Sequence, residues 1–166
     1  MMKILIMSDS HGNKGAMFRA VELDPPGLIL HLGDHESDCG DLEACFPDIP
    51  LRSVRGNCDF MSDKPDKAEF TLGGKLFFMT HGHLHGVKRG LLSIKKSASG
   101  IGADILLFGH THTPYCEIGK KLSIVNPGSI STGDKTYAVL EIIDGEVRCE
   151  IKRLILVSNR INLHHD

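Results

Sequence analysis

The chain of 166 residues is predicted to form an α/β fold, and three observations indicate this class. Short apolar runs recur along the chain, as they do in strands that are buried on both faces of a parallel sheet. Segments with apolar residues on helical spacing separate several of these runs. The length suits one hydrophobic core, and no internal repeat, low-complexity stretch or linker divides the sequence, so residues 1–166 are predicted to form one domain.

The first half of the chain alternates predicted strands and helices. Its apolar runs predict strands over residues 2–7, 28–32 and 51–54. Residues 14–23 carry apolar side chains on helical spacing and precede Pro25 and Pro26, which predicts a helix that stops there. A weaker helical pattern covers residues 41–46.

The second half begins with a predicted hairpin and ends with a series of strands. Gly73-Gly74 separates strands at 67–72 and 76–80, and a helix with basic residues on its exposed side is predicted over 87–99. Further strands are predicted at 105–108, 115–118, 122–125, 137–143 and 147–157, with a turn at Asp144-Gly145 between the last two.

The composition argues against several classes of protein. A formal net charge of −2 is unlike that of a dedicated nucleic-acid or membrane-surface binder, which usually carries a basic excess. The five cysteines are odd in number and form no C-x-x-C pair, which fits reduced thiols better than a disulfide framework. The N-terminus lacks the apolar length of a signal peptide, and no run approaches a membrane span. We therefore expect a cytoplasmic protein.

Five of the predicted strands are each followed immediately by a polar loop that contains glycine. In an open α/β sheet, the carboxyl ends of the strands gather at one edge, so these loops are expected to converge there. They contain seven residues of the type that binds metals: Asp9, His11, Asp34, Asn57, His81, His110 and His112. Each motif alone is also an ordinary turn sequence, but their joint occurrence at strand ends favours a metal site.

The ligand chemistry predicts two metal ions. Two aspartates, one asparagine and four histidines suit Mn²⁺, Fe²⁺, Zn²⁺ or Co²⁺ better than Ca²⁺, which prefers oxygen ligands alone. Seven ligands are too many for one tetrahedral zinc with an open position, but they suit two metals if one carboxylate bridges. Asp34 stands alone in its loop and is the natural bridge. Such a pair can activate a hydroxide and hold a phosphoryl group for in-line attack.

The ordered motifs D-S-H-G, G-D, G-N-C-D, T-H-G-H and G-H-T-H resemble the calcineurin-like metallophosphoesterase superfamily. The short chain and Asn126-Pro127-Gly128-Ser129 resemble its small bacterial and archaeal phosphodiesterase branch. The resemblance implies a four-layer α-β-β-α sandwich with the site at the carboxyl ends of the strands. It also implies two metal sites that share Asp34. One contains Asp9, His11, Asp34 and His112, and the other contains Asp34, Asn57, His81 and His110.

One position departs from the family pattern. Many members have a histidine after Gly-Asn, proposed to protonate the leaving group, whereas this chain has Cys58. His83 is a candidate replacement, and Asp59 is a candidate to orient a water or a base. The predicted catalytic residues are thus Asn57, Asp59 and His83, and Cys58 is expected to contact substrate.

Several other residues are interpreted without a catalytic role. Lys88, Arg89, Lys95 and Lys96 are expected to form a solvated helix face, although they could steer phosphate substrates. His31 is expected to be a core residue, and His164 and His165 to be exposed at the chain end. The sequence leaves open whether His35 and His85 contact substrate. For Asn126-Pro127-Gly128-Ser129, a structural turn and a turn facing the site are both open.

The predicted function is a metal-dependent phosphodiesterase that hydrolyses a P–O bond by attack of a hydroxide bound to a dinuclear metal centre. Mn²⁺ is the favoured ion, with Fe²⁺, Zn²⁺, Co²⁺ or Ni²⁺ as alternatives, and a small phosphodiester is the expected partner. A phosphomonoesterase or protein phosphatase on the same metals is one alternative, which Cys58 disfavours. A non-catalytic interaction scaffold, like the small subunit of the retromer coat, is another, and the complete ligand set disfavours it. The oligomeric state stays open, a homo-oligomer included.

Overall fold

Two five-stranded sheets face each other in the computed structural model, which describes residues 2–155. In chain order, the strands are β1 (Met2–Met7), β2 (Leu28–His31), β3 (Leu51–Ser53), β4 (Lys67–Leu72), β5 (Lys75–Thr80), β6 (Ile105–Leu107), β7 (Tyr115–Glu117), β8 (Ser123–Asn126), β9 (Thr136–Ile143) and β10 (Glu146–Arg153). The helices are α1 (Lys14–Leu23), α2 (Cys39–Cys45) and α3 (Leu92–Gly100), and short 3₁₀ turns cover Glu36–Asp38 and His83–His85.

Each sheet has a parallel centre. The first sheet has the order β10-β9-β1-β2-β3, and the second has the order β4-β5-β6-β8-β7. Strands β1, β2 and β3 run parallel in the first sheet, as do β5, β6 and β8 in the second. Central strands such as β2 are buried along their whole length, because both faces of the sheet are covered, whereas the edge strand β4 alternates between exposed and half-buried residues.

The core lies between the two sheets and beneath the helices. Ile6 and Leu30 of the first sheet pack in one apolar cluster with Phe77 and Leu107 of the second. Helices α1 and α2 cover the outer face of the first sheet, and α3 covers the outer face of the second through Ile94. The order of layers is therefore α-β-β-α, which confirms the predicted fold.

Helix α1 is fixed at both ends by polar contacts. The Asn13 side chain accepts a hydrogen bond from the Ala16 backbone N–H at 3.3 Å, which caps the first turn. Beyond the last turn, the buried Asp24 carboxylate accepts hydrogen bonds from Lys3, Tyr137 and Lys152. Asp24 thereby ties the end of α1 to β1, β9 and β10.

Two predicted elements were wrong in their bounds. The helix predicted over 87–99 begins only at Leu92, because Gly86 and Gly90 adopt positive φ angles of 62° and 148° that break a continuous helix. The strand predicted over 147–157 ends at Arg153, and its last predicted residues lie outside the described range. Most of the other predicted bounds differ by one or two residues. Within residues 2–155, no helix is long and apolar enough to cross a membrane.

Candidate metal centre

The loops after β1, β2, β3, β5 and β6 meet at one edge of the sandwich and bring all seven predicted ligands together. Their donor atoms form two neighbouring groups, in each of which the histidine and carboxylate donors lie within 4.8 Å of one another. The outer cluster contains Asp9, His11 and His112. The inner cluster contains Asp34, His81 and His110, and Asn57 joins it through a contact with His81.

The outer cluster is built on the buried carboxylate of Asp9. Asp9 Oδ2 accepts hydrogen bonds from the Ser8 hydroxyl at 2.6 Å and from the His110 backbone N–H at 3.2 Å. Asp9 Oδ1 is buried without a hydrogen-bond partner among the described residues and lies 3.0 Å from His112 Nε2. A buried anionic oxygen without a donor is costly, so a cation in contact with Oδ1 fits this arrangement.

The inner cluster is built on His81, whose side chain is fully buried. Its Nδ1 lies 2.8 Å from the Leu32 carbonyl oxygen, which can only accept, so Nδ1 carries a proton. The other ring nitrogen, Nε2, is thereby directed at the site, 3.1 Å from both Asn57 Oδ1 and His110 Nδ1. A carbonyl that fixes the outward nitrogen in this way is a common support for a metal-binding histidine.

Asp34 stands between the two clusters. Its Oδ1 lies 3.5 Å from His81 Nε2, and its Oδ2 lies 3.9 Å from His11 Nε2. The Cys58 backbone N–H donates to Oδ1 at 2.8 Å and holds the carboxylate in this orientation. One oxygen therefore faces each cluster.

The protonation states also fit cations. Burial opposes the ionised form of Asp34, but the hydrogen bond and charge of His81, together with the hydrogen bonds from Cys58, outweigh burial and hold the pKa of Asp34 far below its usual range. Burial likewise opposes a charge on His81, but the bond to Asp34 raises the pKa of that imidazole. Burial, with a smaller contribution from His81, lowers the pKa of His110 to about 4. Divalent cations can replace the His81 proton, and the neutral His110 can bind one directly.

The backbone is strained where the ligands sit. Five predicted ligands have φ between 43° and 67°, in the left-handed region that residues other than glycine rarely adopt: Asp9, His11, Asp34, His110 and His112. Strain of this kind persists only where the surroundings hold it, and it concentrates at functional sites. Five of the eight described residues other than glycine with positive φ are thus predicted ligands at this edge, which supports a functional site there.

Glycines allow the Asp34 and Asn57 loops to touch. A Cβ atom at Gly56 would collide with the Asp34 carboxylate, and one at Gly33 would lie 2.6 Å from the Gly56 nitrogen. The polar contacts of the two loops can form only because neither position has a side chain.

Asp59 fastens the same two loops together. Its Oδ2 accepts the backbone N–H groups of Asp34 at 2.9 Å and Gly56 at 2.7 Å, and its Oδ1 accepts that of Glu36 at 3.1 Å. Both oxygens are thus engaged by the backbone, which supports a positioning role. The predicted role of Asp59 in orienting a water or a base stays a prediction.

His83 and Cys58 flank the inner cluster. The His83 ring centroid lies 5.4 Å from that of His81, and its Nδ1 is buried without a hydrogen-bond partner among residues 2–155. The Cys58 sulfur lies within 4.8 Å of donor atoms of His11 and Asp34, a contact that the sequence analysis did not foresee. Burial, followed by the neighbouring Asp34, raises the pKa of the Cys58 thiol to about 11, which favours the protonated form.

Buried polar residues outside the predicted set support the ligand loops. Asp38 accepts hydrogen bonds from the Ser10 hydroxyl at 2.7 Å and the Gly12 N–H at 2.9 Å, which fixes the loop on either side of His11. No motif or spacing in the sequence marks Asp38. Ser10 also contacts Nε2 of the buried His31 at 3.2 Å, which confirms His31 as a core residue.

The Asn126-Pro127-Gly128-Ser129 turn braces two of the loops from beneath. Asn126 donates to the Gly109 carbonyl at 3.1 Å, and Ser129 donates to the Asp9 carbonyl at 3.0 Å. The turn therefore supports ligands on β1 and β6 at the same time. Its role is structural, which was one of the two alternatives that the sequence left open.

The remaining histidines separate into two groups. The His35 ring lies 5.3 Å from that of His11 and borders the site, whereas the His85 ring packs against Phe78 at 6.0 Å. Lys88 and Arg89 lie before α3 rather than on it, so they do not form one helix face with Lys95 and Lys96. His164 and His165 lie outside the described residues.

The sequence also matches a known family. Residues 2–145 match the model of the calcineurin-like phosphoesterase superfamily domain, and the chain belongs to this superfamily. The match spans every loop that carries a ligand, so the family assignment and the geometry concern the same part of the chain.

Individual relatives agree with this assignment. The Bacillus subtilis protein named "Probable metallophosphoesterase YsnB" is 38% identical over 151 residues, which cover 85% of each chain. The Escherichia coli phosphodiesterase YfcE is 31% identical over 155 residues, which cover 79% of this chain and 80% of that protein. A crystal structure of a Streptococcus pneumoniae protein described as a predicted phosphoesterase matches with a TM-score of 0.76 and 28% identity, over 92% of this chain and 89% of the other.

Proposed function

We propose that this chain is a metal-dependent phosphodiesterase whose two metal sites share Asp34. The observation that carries the proposal is the orientation of the Asp34 carboxylate, with Oδ1 at 3.5 Å from His81 and Oδ2 at 3.9 Å from His11. One carboxylate placed in this way can neutralise two cations at once. Membership of the superfamily supports phosphoester hydrolysis, and the relative named phosphodiesterase supports a diester as substrate.

Two divalent cations at such a site would activate the attacking water and offset the charge of the phosphoryl oxygens. The chain itself holds the surrounding groups in place. Asn57 directs its amide oxygen at the inner cluster, and its Nδ2 lies 3.4 Å from Cys58 Sγ on the open side, where it can donate to a phosphoryl oxygen. The mixed imidazole and carboxylate donors suit Mn²⁺, with Fe²⁺, Zn²⁺, Co²⁺ or Ni²⁺ as alternatives.

His83 is the residue that we propose to protonate the leaving oxygen. Its ring lies beside the inner cluster, and no hydrogen bond from the described residues engages its buried Nδ1. A thiol at Cys58 is less suited to the task, because burial and the neighbouring Asp34 raise its pKa to about 11, further from neutrality than the ordinary imidazole value. A good leaving group needs little such help, so the role of His83 should depend on the substrate.

The experiment is to measure metal content and hydrolysis on the same protein. After loading with Mn²⁺, we expect two equivalents by elemental analysis and faster hydrolysis of bis(p-nitrophenyl) phosphate than of p-nitrophenyl phosphate. Asp34→Asn should lower the metal content and reduce diester hydrolysis by roughly 100-fold or more, because the shared charge is lost.

Asp144→Asn is the matched control. Asp144 is exposed in the turn between β9 and β10, at the opposite end of β1 from the ligands. This variant should keep both metals and full activity. A fully active Asp34→Asn protein with two equivalents of metal would contradict the shared carboxylate, and a preference for the monoester would contradict the phosphodiesterase assignment.

A further inference from the structure

Two apolar side chains stand in solvent at the rim of the metal centre. Phe60, in the loop between β3 and β4, is 88% exposed, and Leu84, after β5, is 66% exposed. Both line one open cavity of about 400 Å³, and its wall also contains Asn57 and His83. The cavity is thus continuous with the inner cluster and with the group proposed to protonate the leaving oxygen.

The loop that carries Phe60 is held firmly by hydrogen bonds. The Ser62 hydroxyl donates to Glu36 at 2.6 Å, and the Ser62 N–H donates to the Asp59 carbonyl at 3.2 Å. The Arg55 N–H donates to the Pro65 carbonyl at 3.0 Å and closes the base of the loop. The loop therefore presents the Phe60 ring to solvent at a defined place, instead of letting it fold back onto the core.

Covering an exposed aromatic ring is favourable. Burial of apolar surface stabilises a complex in proportion to its area, and a ligand ring that packs on an aromatic side chain adds a specific contact. Ligand sites typically combine apolar walls with a few polar groups that fix orientation. Here Phe60 and Leu84 are the apolar walls, and the polar lining consists of Asn57, His83, Asp59 and the Arg55–Asp66 ion pair.

We propose that the cavity between Phe60 and Leu84 is a subsite for an aromatic ester group of the phosphodiester substrate. This inference rests on the proposed function and adds a substrate class to it. The ring packs against Phe60 and Leu84 while the phosphoryl group lies at the metal centre. An aryl group and a nucleobase share this chemistry, so the test includes one probe of each kind.

A neighbour of Phe60 provides the matched control. Met61 is 98% exposed on the same loop, but it lines a different cavity of about 300 Å³, which it shares with Phe60, His35 and Cys58. Of these two cavities, Leu84 lines the proposed subsite and not its neighbour, and Met61 lines the neighbour and not the subsite. The pair of variants Leu84→Ala and Met61→Ala therefore reports which side of Phe60 takes the ring.

Binding of phosphonates to the Mn²⁺-loaded protein tests the subsite by calorimetry, independently of turnover. The probes are methylphosphonate, phenylphosphonate and the thymidine analogue in which a CH₂ group replaces the 5′ oxygen and bonds to phosphorus, so that none of them has a P–O–C bond to hydrolyse. We expect one or both ring-bearing probes to bind ~5- to 100-fold more tightly than methylphosphonate, the range that stacking on an aromatic side chain gives. The ring-bearing probe that binds more tightly shows whether the subsite prefers an aryl group or a nucleobase.

Alanine variants test whether the cavity causes the tighter binding of the ring-bearing probes. Phe60→Ala and Leu84→Ala should reduce the advantage of the ring to less than ~3-fold, with methylphosphonate affinity unchanged, while Met61→Ala should keep the advantage. An advantage that survives Phe60→Ala would overturn the proposal. The proposal would also be overturned if Met61→Ala removed the tighter binding of the ring-bearing probes while Leu84→Ala kept it. The same holds if the variants weakened binding of all three probes equally.

Two further outcomes separate this inference from others. Phe60-dependent binding of a ring by a protein that cleaves no diester would support the subsite and overturn the phosphodiesterase assignment. Equal affinity for all probes, together with self-association that Phe60→Ala abolishes in sedimentation, would overturn the subsite in favour of a protein interface.

Discussion

The two clusters of the metal centre differ in how firmly the fold holds them. In the inner cluster, the His81 side chain is fully buried, and the Leu32 carbonyl fixes its ring. In the outer cluster, the His112 side chain is 39% exposed, and the Thr132 hydroxyl, itself at the surface, lies 3.3 Å from its Nδ1. Two of the three clustered donors of the inner cluster, Asp34 and His81, are buried, whereas in the outer cluster Asp9 is buried, His11 is half-buried and His112 is exposed. We therefore expect the inner cluster to hold its cation more tightly.

Removing a histidine from each cluster gives the largest expected difference. His81→Ala should lower the affinity of the tighter site by more than the roughly 10–100-fold that loss of a supporting residue typically costs, and should abolish diester hydrolysis. His112→Ala should weaken mainly the looser site and leave one equivalent of metal bound. Competition with a chelator, on proteins shown to be folded by circular dichroism, measures both. The reverse order of affinities would contradict the comparison.

The next largest effect concerns the proton donor beside the inner cluster. His83→Ala should reduce kcat/KM by ~10²–10⁴-fold for poor leaving groups such as alkyl esters, and far less for aryl diesters, because a basic leaving oxygen needs an acid most. Cys58→Ser should keep most activity on aryl diesters, and Cys58→His should improve turnover of poor leaving groups. The measurement is kcat/KM across a series of leaving-group pKa values. A loss in His83→Ala that is equal for every leaving group would indicate a positioning role instead.

A smaller effect is expected from the residue that joins the Asp34 and Asn57 loops. In Asp59→Asn, an amide NH₂ group replaces an acceptor that faces backbone N–H donors, which should cost about 1–3 kcal/mol of unfolding free energy. Metal affinity of the inner cluster should fall by roughly 10–100-fold. Asp63→Asn, on an exposed position of the same loop, is the control and should change neither quantity. Unchanged metal affinity in Asp59→Asn would show that the loops keep their places without this carboxylate.

The smallest effect on the site is expected at Asp24, whose side-chain partners Lys3, Tyr137 and Lys152 are not predicted ligands. Burial opposes ionisation of Asp24, but hydrogen bonds from Lys152, Tyr137 and Lys3 outweigh burial and lower its pKa. The ionised group therefore stabilises the fold above its unfolded pKa of ~3.9, and this stability is lost as the pH falls through the lower folded value. Asp24→Asn should cost about 1–3 kcal/mol at neutral pH, less in strong acid, and leave metal binding unchanged. Denaturant unfolding at pH 7 and pH 3 checks this, and an equal loss at both pH values would contradict it.

That the candidate ligands meet could be predicted from the sequence, because each lies in the loop that follows an apolar strand. The parallel sheet fixes where such residues meet, so Asp9, Asp34 and His81 needed no knowledge of side-chain packing. The supporting residues could not be found in this way. Asp38 reaches the loop around His11 from a 3₁₀ turn, and that contact depends on the path of the chain after β2.

Local backbone conformation accounts for the error in the predicted helix over 87–99. Its apolar spacing is helical, but Gly86 and Gly90 adopt positive φ angles in the segment that connects β5 to α3. These angles depend on the tertiary structure, which the local sequence pattern does not contain. The carboxylate of Asp59 shows the same limit for the site. Its position after Asn57 suggested chemistry, whereas its contacts with three backbone N–H groups are visible only in the folded chain.

The most direct test of the shared carboxylate is anomalous diffraction from crystals of the Mn²⁺-loaded protein, recorded at the manganese absorption edge. The account predicts two peaks. One should lie among Asp9, His11 and His112, the other should lie among Asn57, His81 and His110, and a different oxygen of Asp34 should bind each. A single peak, or two peaks of which only one touches Asp34, would contradict it.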